Sequence, residues 1–281
     1  MKKTTLLIGL ACSMAAATSQ AAIITLTGAN AFGESWLTAA DWSNNAVPTA
    51  GNDYIADNEA VGGLFRSPST TGQTFAGDSL TLLGYMHLKS ANATVNNLIL
   101  NNGGVINGGW SGSNGTTLNG GITLADSSDN FFTTGGPDTR TLTINSTIAG
   151  TGNLSIDSSD GGFVGTVALT NAANSFTGLL TVTGTGSLDF NYDHDTAAGL
   201  SIDSGGLLNL DQTLSFNTLS LLGNSIGAGT YNVADFTALD GSYTGLFTDG
   251  GGSITVVVPE PSSALLLGLG GLALVARRRR A

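Results

Sequence analysis

The densest group of chemically active side chains in the sequence is Asn191-Tyr192-Asp193-His194-Asp195. Two carboxylates flanking an imidazole could bind Ca²⁺ or serve as acid and base on a polysaccharide, and the same residues equally suit a solvated corner between strands. The other histidine, His87, is remote in sequence, and neither sits in a spacing such as His-Glu-x-x-His, so no histidine zinc site is expected. Asp126/Asp129 and Asp157/Asp160 recur in two Asp-Ser-Ser-Asp segments and could hold Ca²⁺ between successive turns of the chain. The Gly-Gly-x-Gly-x-Asp nonapeptide and the Asp-x-Asp-x-Asp-Gly loop that normally do so are both missing. Cys12 is the only cysteine and lies close to the amino terminus, which leaves the body of the chain without a disulfide, a thiolate metal site or a cysteine nucleophile. No catalytic residue, metal ligand or cofactor is therefore assigned.

The charge distribution narrows the partners. The chain carries 9 Lys+Arg against 20 Asp+Glu, a net charge of −11. Lys2 and Lys3 open the chain and Arg277, Arg278, Arg279 and Arg280 close it, so Arg66, Lys89 and Arg140 are the only basic residues of the body. A phosphate backbone would be repelled, which argues against nucleic acid as a partner. The same scarcity counts against catalysis on an anionic polymer, which needs a cation or metal to stabilise developing charge.

The elements that must position these residues read as short strands. With 41 Gly in 281 residues, a long helical protein is excluded. Apolar residues fall in pairs two apart, the spacing that places both side chains on one face of a strand. The pairs are Leu98/Leu100, Ile122/Leu124, Leu142/Ile144, Leu154/Ile156, Val167/Leu169, Leu180/Val182, Leu188/Phe190, Leu200/Ile202, Leu208/Leu210 and Leu219/Leu221. Leu180 to Leu200, Leu188 to Leu208 and Ile122 to Leu142 each give a period of 20, while Leu142, Leu154, Val167 and Leu180 step by 12 or 13. Such a repeat, with Gly/Asn/Asp corners, predicts an all-β fold, a parallel β-helix (β-solenoid), in preference to a sandwich. Gly103-Gly104 and Gly120-Gly121 are expected in turns. The expected organisation is a signal peptide over residues 1–21, an N-terminal capping β segment over 22–79, a β-solenoid over 80–258 and a sorting signal over 259–281.

Both ends read as addresses. Lys2-Lys3, the apolar run from Leu6 to Ala17 and the small residues Ser19 and Ala21 have the layout of a secretory signal, cleaved after Ala21 or less favourably after Ala22. A lipoprotein acylated at Cys12 is the rival, though Gly9 stands where a Leu-like residue is needed. At the other end, Ser262 to Ala276 is uncharged and apolar. As a helix it would reach about 22 Å, short of a roughly 30 Å hydrocarbon core, and the following Arg cluster would keep its end cytoplasmic. Val258-Pro259-Glu260-Pro261-Ser262, an apolar helix and the terminal Arg run together resemble the PEP-CTERM sorting signal. The resemblance implies transient inner-membrane anchoring, recognition by an exosortase-type processing enzyme near Pro-Glu-Pro, and release to the cell surface or an exopolysaccharide-rich matrix.

Three internal segments also look familiar. Ile148-Ala149-Gly150-Thr151-Gly152-Asn153-Leu154, the stretch from Leu169 to Gly178 containing Asn174-Ser175-Phe176-Thr177-Gly178, and Val182-Thr183-Gly184-Thr185-Gly186-Ser187-Leu188 resemble the autotransporter-associated β-strand repeat. That resemblance implies a surface-exposed β-helical stalk and names no activity. Trp36 and Trp42, with Val47 to Asp53, resemble the cap preceding such repeats, and Gly229 to Val233 through Val256 the last coil. The paired Trp residues could instead stack on sugar rings. The expectation is an exported structural or adhesive protein, served by the secretion machinery and associated with exopolysaccharide. The competing classes are a polysaccharide lyase or glycosidase and a calcium-dependent matrix binder.

Overall fold

Every apolar pair named above has both members buried in the computed structural model, which describes residues 21–28, 36–107, 115–135, 140–157 and 165–257. Burying one side of so many short strands requires a partner above and below each, and parallel ladders supply both. The first sheet runs Ala22–Thr25, Asn52–Ala56, Ser79–Leu82, Asn92–Leu100, Gly115–Leu124, Thr141–Ile144, Thr166–Leu169, Ser187–Phe190, Leu207–Leu210, Phe247–Asp249. The second runs from Phe65–Arg66 through Tyr85–Leu88, Gly104–Asn107, Asp129–Thr134, Asn153–Asp157, Leu179–Thr183, Gly199–Ile202 and Thr218–Leu221 to Asn224–Ile226. A short third sheet joins His194–Asp195, Thr213–Phe216, Ser253–Val256 and Gly229–Tyr231.

The chain adds strands to the first two sheets in alternation, an arrangement consistent with the expected β-solenoid. Leu154 pairs with Leu180 and Leu180 with Leu200 in the second sheet, while Leu142, Val167, Leu188 and Leu208 are successive partners in the first. A 12- or 13-residue step is thus half a winding, and two of them close one. The period of 20 holds from Leu180 onward but not at Ile122/Leu142: Ile122 pairs with Ile148 and Leu142 with Thr116, because the windings there carry longer corners. Stacking in register keeps like on like, and each buried Leu or Ile contributes about 1.5–3 kcal/mol.

The segment expected as a cap is continuous with the first sheet, since Asn52–Ala56 pairs with Ser79–Leu82 and Ala22–Thr25 pairs with Asn52–Ala56. One expectation needs correction: the glycine pairs are not turns. Gly104 opens a strand, and Gly120-Gly121 lies inside Gly115–Leu124, opposite the register shift between Val95 and Leu98. Gly120 has φ +112, and a Cβ there would stand 2.0 Å from the Val95 carbonyl oxygen, so a bulge in the ladder demands glycine at this point.

Both ends of the stack are filled with rings. Trp42 packs edge-on against Tyr54 at 4.9 Å and Phe65 at 5.8 Å, Trp36 against Phe75 at 5.6 Å, and the Trp42 indole donates to the Trp36 carbonyl. With 1% and 0% of their surfaces exposed, Trp36 and Trp42 offer no face to a sugar. At the far end the second and third sheets finish in antiparallel strands, Asn224–Ile226 and Gly229–Tyr231. The helix Val233–Leu239 follows, started by a capping box between Asn232 and Asp235, and it buries Phe236 between Tyr231 and Phe247. Antiparallel strands and a helix end a parallel stack without leaving it open to further parallel addition.

Candidate functional site

Asp193-His194-Asp195 does not converge on a common ligand. Strand alternation sends His194 inward and leaves both carboxylates exposed. The imidazole, 2% exposed, stacks at 4.8 Å on Phe190 and 5.7 Å on Phe176, with Phe216 and Tyr192 beside it. Burial holds its pKa down to about 4, against a smaller opposing pull from Asp195, and its Nε2 has no hydrogen-bond partner among the described residues. Asp193 accepts from the Thr213 amide one winding on. Neither the solvated corner nor the acid–base pair describes His194, which is a core side chain. The strand pattern Leu188/Phe190 carried on by two would have placed it there.

The other aspartates serve the corners. Asp126 accepts from Thr151 and Asp129 from Asn153, each one winding away, while Asp160 lies outside the described residues. Among the described residues no three His, Cys, Asp or Glu side chains are grouped to hold a metal ion. Gly223-Asn224-Ser225-Ile226-Gly227 has the Gly-x-Ser-x-Gly spacing of a hydrolase elbow. That spacing needs a strand-to-helix turn, and Ser225 lies instead on an exposed antiparallel strand.

The chemistry that does converge lies on the outward face of the second sheet. Register brings Tyr85, Gly104, Phe131 and Ser155 into one lateral row and Arg66, His87, Ile106 and Thr133 into the next. From these rows Tyr85, Phe131, Ser155, His87, Ile106 and Thr133 floor a cleft of about 480 Å³, walled by Glu59 and Leu64 from the segment after Asn52–Ala56 and by Asp157. Asn58 holds that wall in place: its side-chain oxygen accepts from the Tyr85 amide and its nitrogen donates to the Gly63 carbonyl. The Phe131 ring lies over Gly104, where a Cβ would meet it at 2.5 Å. Tyr85 packs edge-on to His87 at 5.3 Å. The Thr133 hydroxyl is buried, 6% exposed as a residue, and has no hydrogen-bond partner among the described residues.

Lys89 and Arg66 stand near His87. Burial first, then the Lys89 and Arg66 charges, hold His87 down to about 4, so its imidazole is neutral at pH 7. Lys89 is itself lowered by burial and by Arg66 and Arg140. The three cations of the body, scattered in sequence, therefore act on one another. Arg66 and Lys89 are about one winding apart, which was the available signal; the length of that winding was not legible in a stretch read as a cap.

Ser19 and the sorting residues Val258, Pro259, Glu260, Pro261 and Arg277 to Arg280 lie outside the described residues; Ala21 directly precedes the first strand, which Ala22 opens. Among the described residues no helix is long and apolar enough to cross a membrane, and Ser262 to Ala276 are not among them. No curated protein and no solved structure matches the chain. Residues 257–280 match the family model of the PEP-CTERM protein-sorting motif, which marks the chain as an exported protein sorted to the cell surface by an exosortase-type processing partner.

Proposed function

We propose that the chain is a structural or adhesive protein of the cell surface or extracellular matrix, built as a β-solenoid stalk, associated with exopolysaccharide and without a catalytic role. The sorting motif at residues 257–280 carries the reading. The stacked body supports it: polar side chains along the first sheet are spent on bonding one winding to the next, as in the ladder from Asn92 through Asn119 and Asn145 to Thr170. The likeness to the autotransporter-associated β-strand repeat fits the same picture through its polar core. Asn174 caps the Ile148 amide at 2.7 Å, Phe176 is buried, and Gly178 passes so close to Gly152 that a Cβ would lie 2.0 Å from its carbonyl oxygen. On this reading the secretion machinery carries the chain out, the apolar tail anchors it transiently in the inner membrane, and processing near Pro259-Glu260-Pro261 frees it.

The test is cell fractionation of the full chain beside a variant with Pro259, Glu260 and Pro261 replaced by Ala. The wild type is expected at the surface or in the matrix in a form lacking its tail, and the variant in the membrane fraction with the tail attached. Equal distribution of both would sink the sorting role. Incubation of the surface form with the host's own polysaccharide separates stalk from enzyme: unchanged glycan length with co-migrating protein is expected, and shortening at trace protein would establish catalysis.

A further inference from the structure

We infer that the cleft on the outward face of the second sheet binds a short segment of uncharged polysaccharide, with Phe131 and Tyr85 as its stacking surface and Thr133, Glu59 and Asp157 as its polar contacts. The inference rests on the matrix reading above and names the ligand class that reading leaves open.

Neighbouring parallel strands lie about 4.8 Å apart, so the backbones of Tyr85 and Phe131, two strands from one another, are about 10 Å apart, close to the end-to-end length of two linked pyranose rings. Both rings are half-buried, so each is fixed by its neighbours yet keeps a face toward the cleft. The apolar face of a sugar packs on such rings. Gly104 between them keeps the floor low, and the Phe131 ring rests on it. The volume of about 480 Å³ is that of a small-ligand site.

The polar lining selects the charge of the occupant. Glu59 and Asp157 line the cleft, and among the described residues no Lys or Arg does, Arg66 and Lys89 standing beside His87 outside the lining. Sugar hydroxyls donate to carboxylates in charge-assisted bonds, whereas a uronate or sulfate group would meet like charge and a strongly acidic body. Thr133 supplies the independent sign of a ligand: a residue more than nine-tenths buried that lines the cleft, its hydroxyl without a partner among the described residues. A buried hydroxyl left unpaired is costly, and once the Thr133 side chain turns toward the cleft a sugar hydroxyl would satisfy it. A neutral His87 imidazole can donate one hydrogen bond and accept another at the same wall without presenting a positive charge.

The experiment is titration of the exported protein, recovered from cells, with four defined hexasaccharides: β-1,4-glucan, β-1,4-mannan and β-1,4-galactan as uncharged probes and hexagalacturonate as the charged one. Hydrogen exchange is followed alongside heat of binding. At least one uncharged probe is expected to bind and to protect the strands Tyr85–Leu88 and Asp129–Thr134. Phe131→Ala should weaken that binding tenfold or more. Thr133→Val, which keeps shape and removes only the unpaired hydroxyl, should weaken it several-fold without lowering the melting temperature. Binding by hexagalacturonate alone, binding by none of the four, or uncharged binding that neither variant changes would each overturn the inference. Fractionation of the same cells reports on surface sorting separately, so a cleft that binds nothing is distinguishable from a protein that never reaches the matrix.

Discussion

At neutral pH His194 sits uncharged among Phe176, Phe190 and Phe216, and its burial has a thermodynamic sign. Above pH 6.5 the imidazole is neutral in both folded and unfolded chains and contributes nothing to pH dependence. Below it the unfolded chain takes up a proton that the folded chain refuses until about pH 4. Stability therefore falls through that window and levels off beneath it, by on the order of 3 kcal/mol for this one residue. His87, held down to about 4 as well, adds in the same direction. Asp189, whose carboxyl burial pushes above its usual range despite the Asn209 amide, opposes both. Leu214 and Ile254 occupy the same register position in the next two strands of the third sheet, which makes leucine the natural replacement. His194→Leu is expected to flatten the loss of melting temperature between pH 7 and pH 4 while leaving the value at pH 7 unchanged or higher, since the unpaired Nε2 goes with it; a steeper acid loss in the variant would refute this account. Gly178 is a second single-atom test: Ala there meets the Gly152 carbonyl and should cost about 2–3 kcal/mol in urea unfolding.

Neighbouring windings are tied to one another by side-chain ladders along the first sheet. Asn119 donates to Asn92 and to the Ala93 carbonyl and accepts from Asn145. Asn119→Ala breaks the ladder in the middle and should lower stability by about 1–2 kcal/mol, with the slope of urea unfolding unchanged because the same surface is still buried. The strands themselves were legible because alternation is a local signal: Leu154/Ile156 can be read without knowing what lies above it. Pairing was legible only where corners are of equal length, as from Leu180 to Leu208, and failed at Ile122/Leu142, where unequal corners shift the period. The cleft was not legible at all. Tyr85, Phe131 and Thr133 become neighbours through register across several windings, and the outward residues of a strand carry no periodic signature of their own. His194 was misread for the opposite reason, since two flanking carboxylates disguised an inward position.

Taken whole, the molecule is a stack of like-charged windings with three cations in its body. Screening that self-repulsion should raise the melting temperature as salt goes from about 0.02 to 0.2 M, and a drop over the same range would show that attractive surface pairs outweigh it. Chelator should leave melting unchanged, because Asp126 and Asp129 already spend their oxygens on Thr151 and Asn153; a loss of several degrees on adding EDTA would restore the calcium reading. The alternation between sheets also bears on how such a chain leaves the cell. Partners such as Leu154 and Leu180, or Leu180 and Leu200, are separated by only one circuit, so a polypeptide emerging amino end first finds its docking surface already in place. A circuit that settled on the outer side would resist being drawn back, so the fold itself would act as a ratchet on translocation.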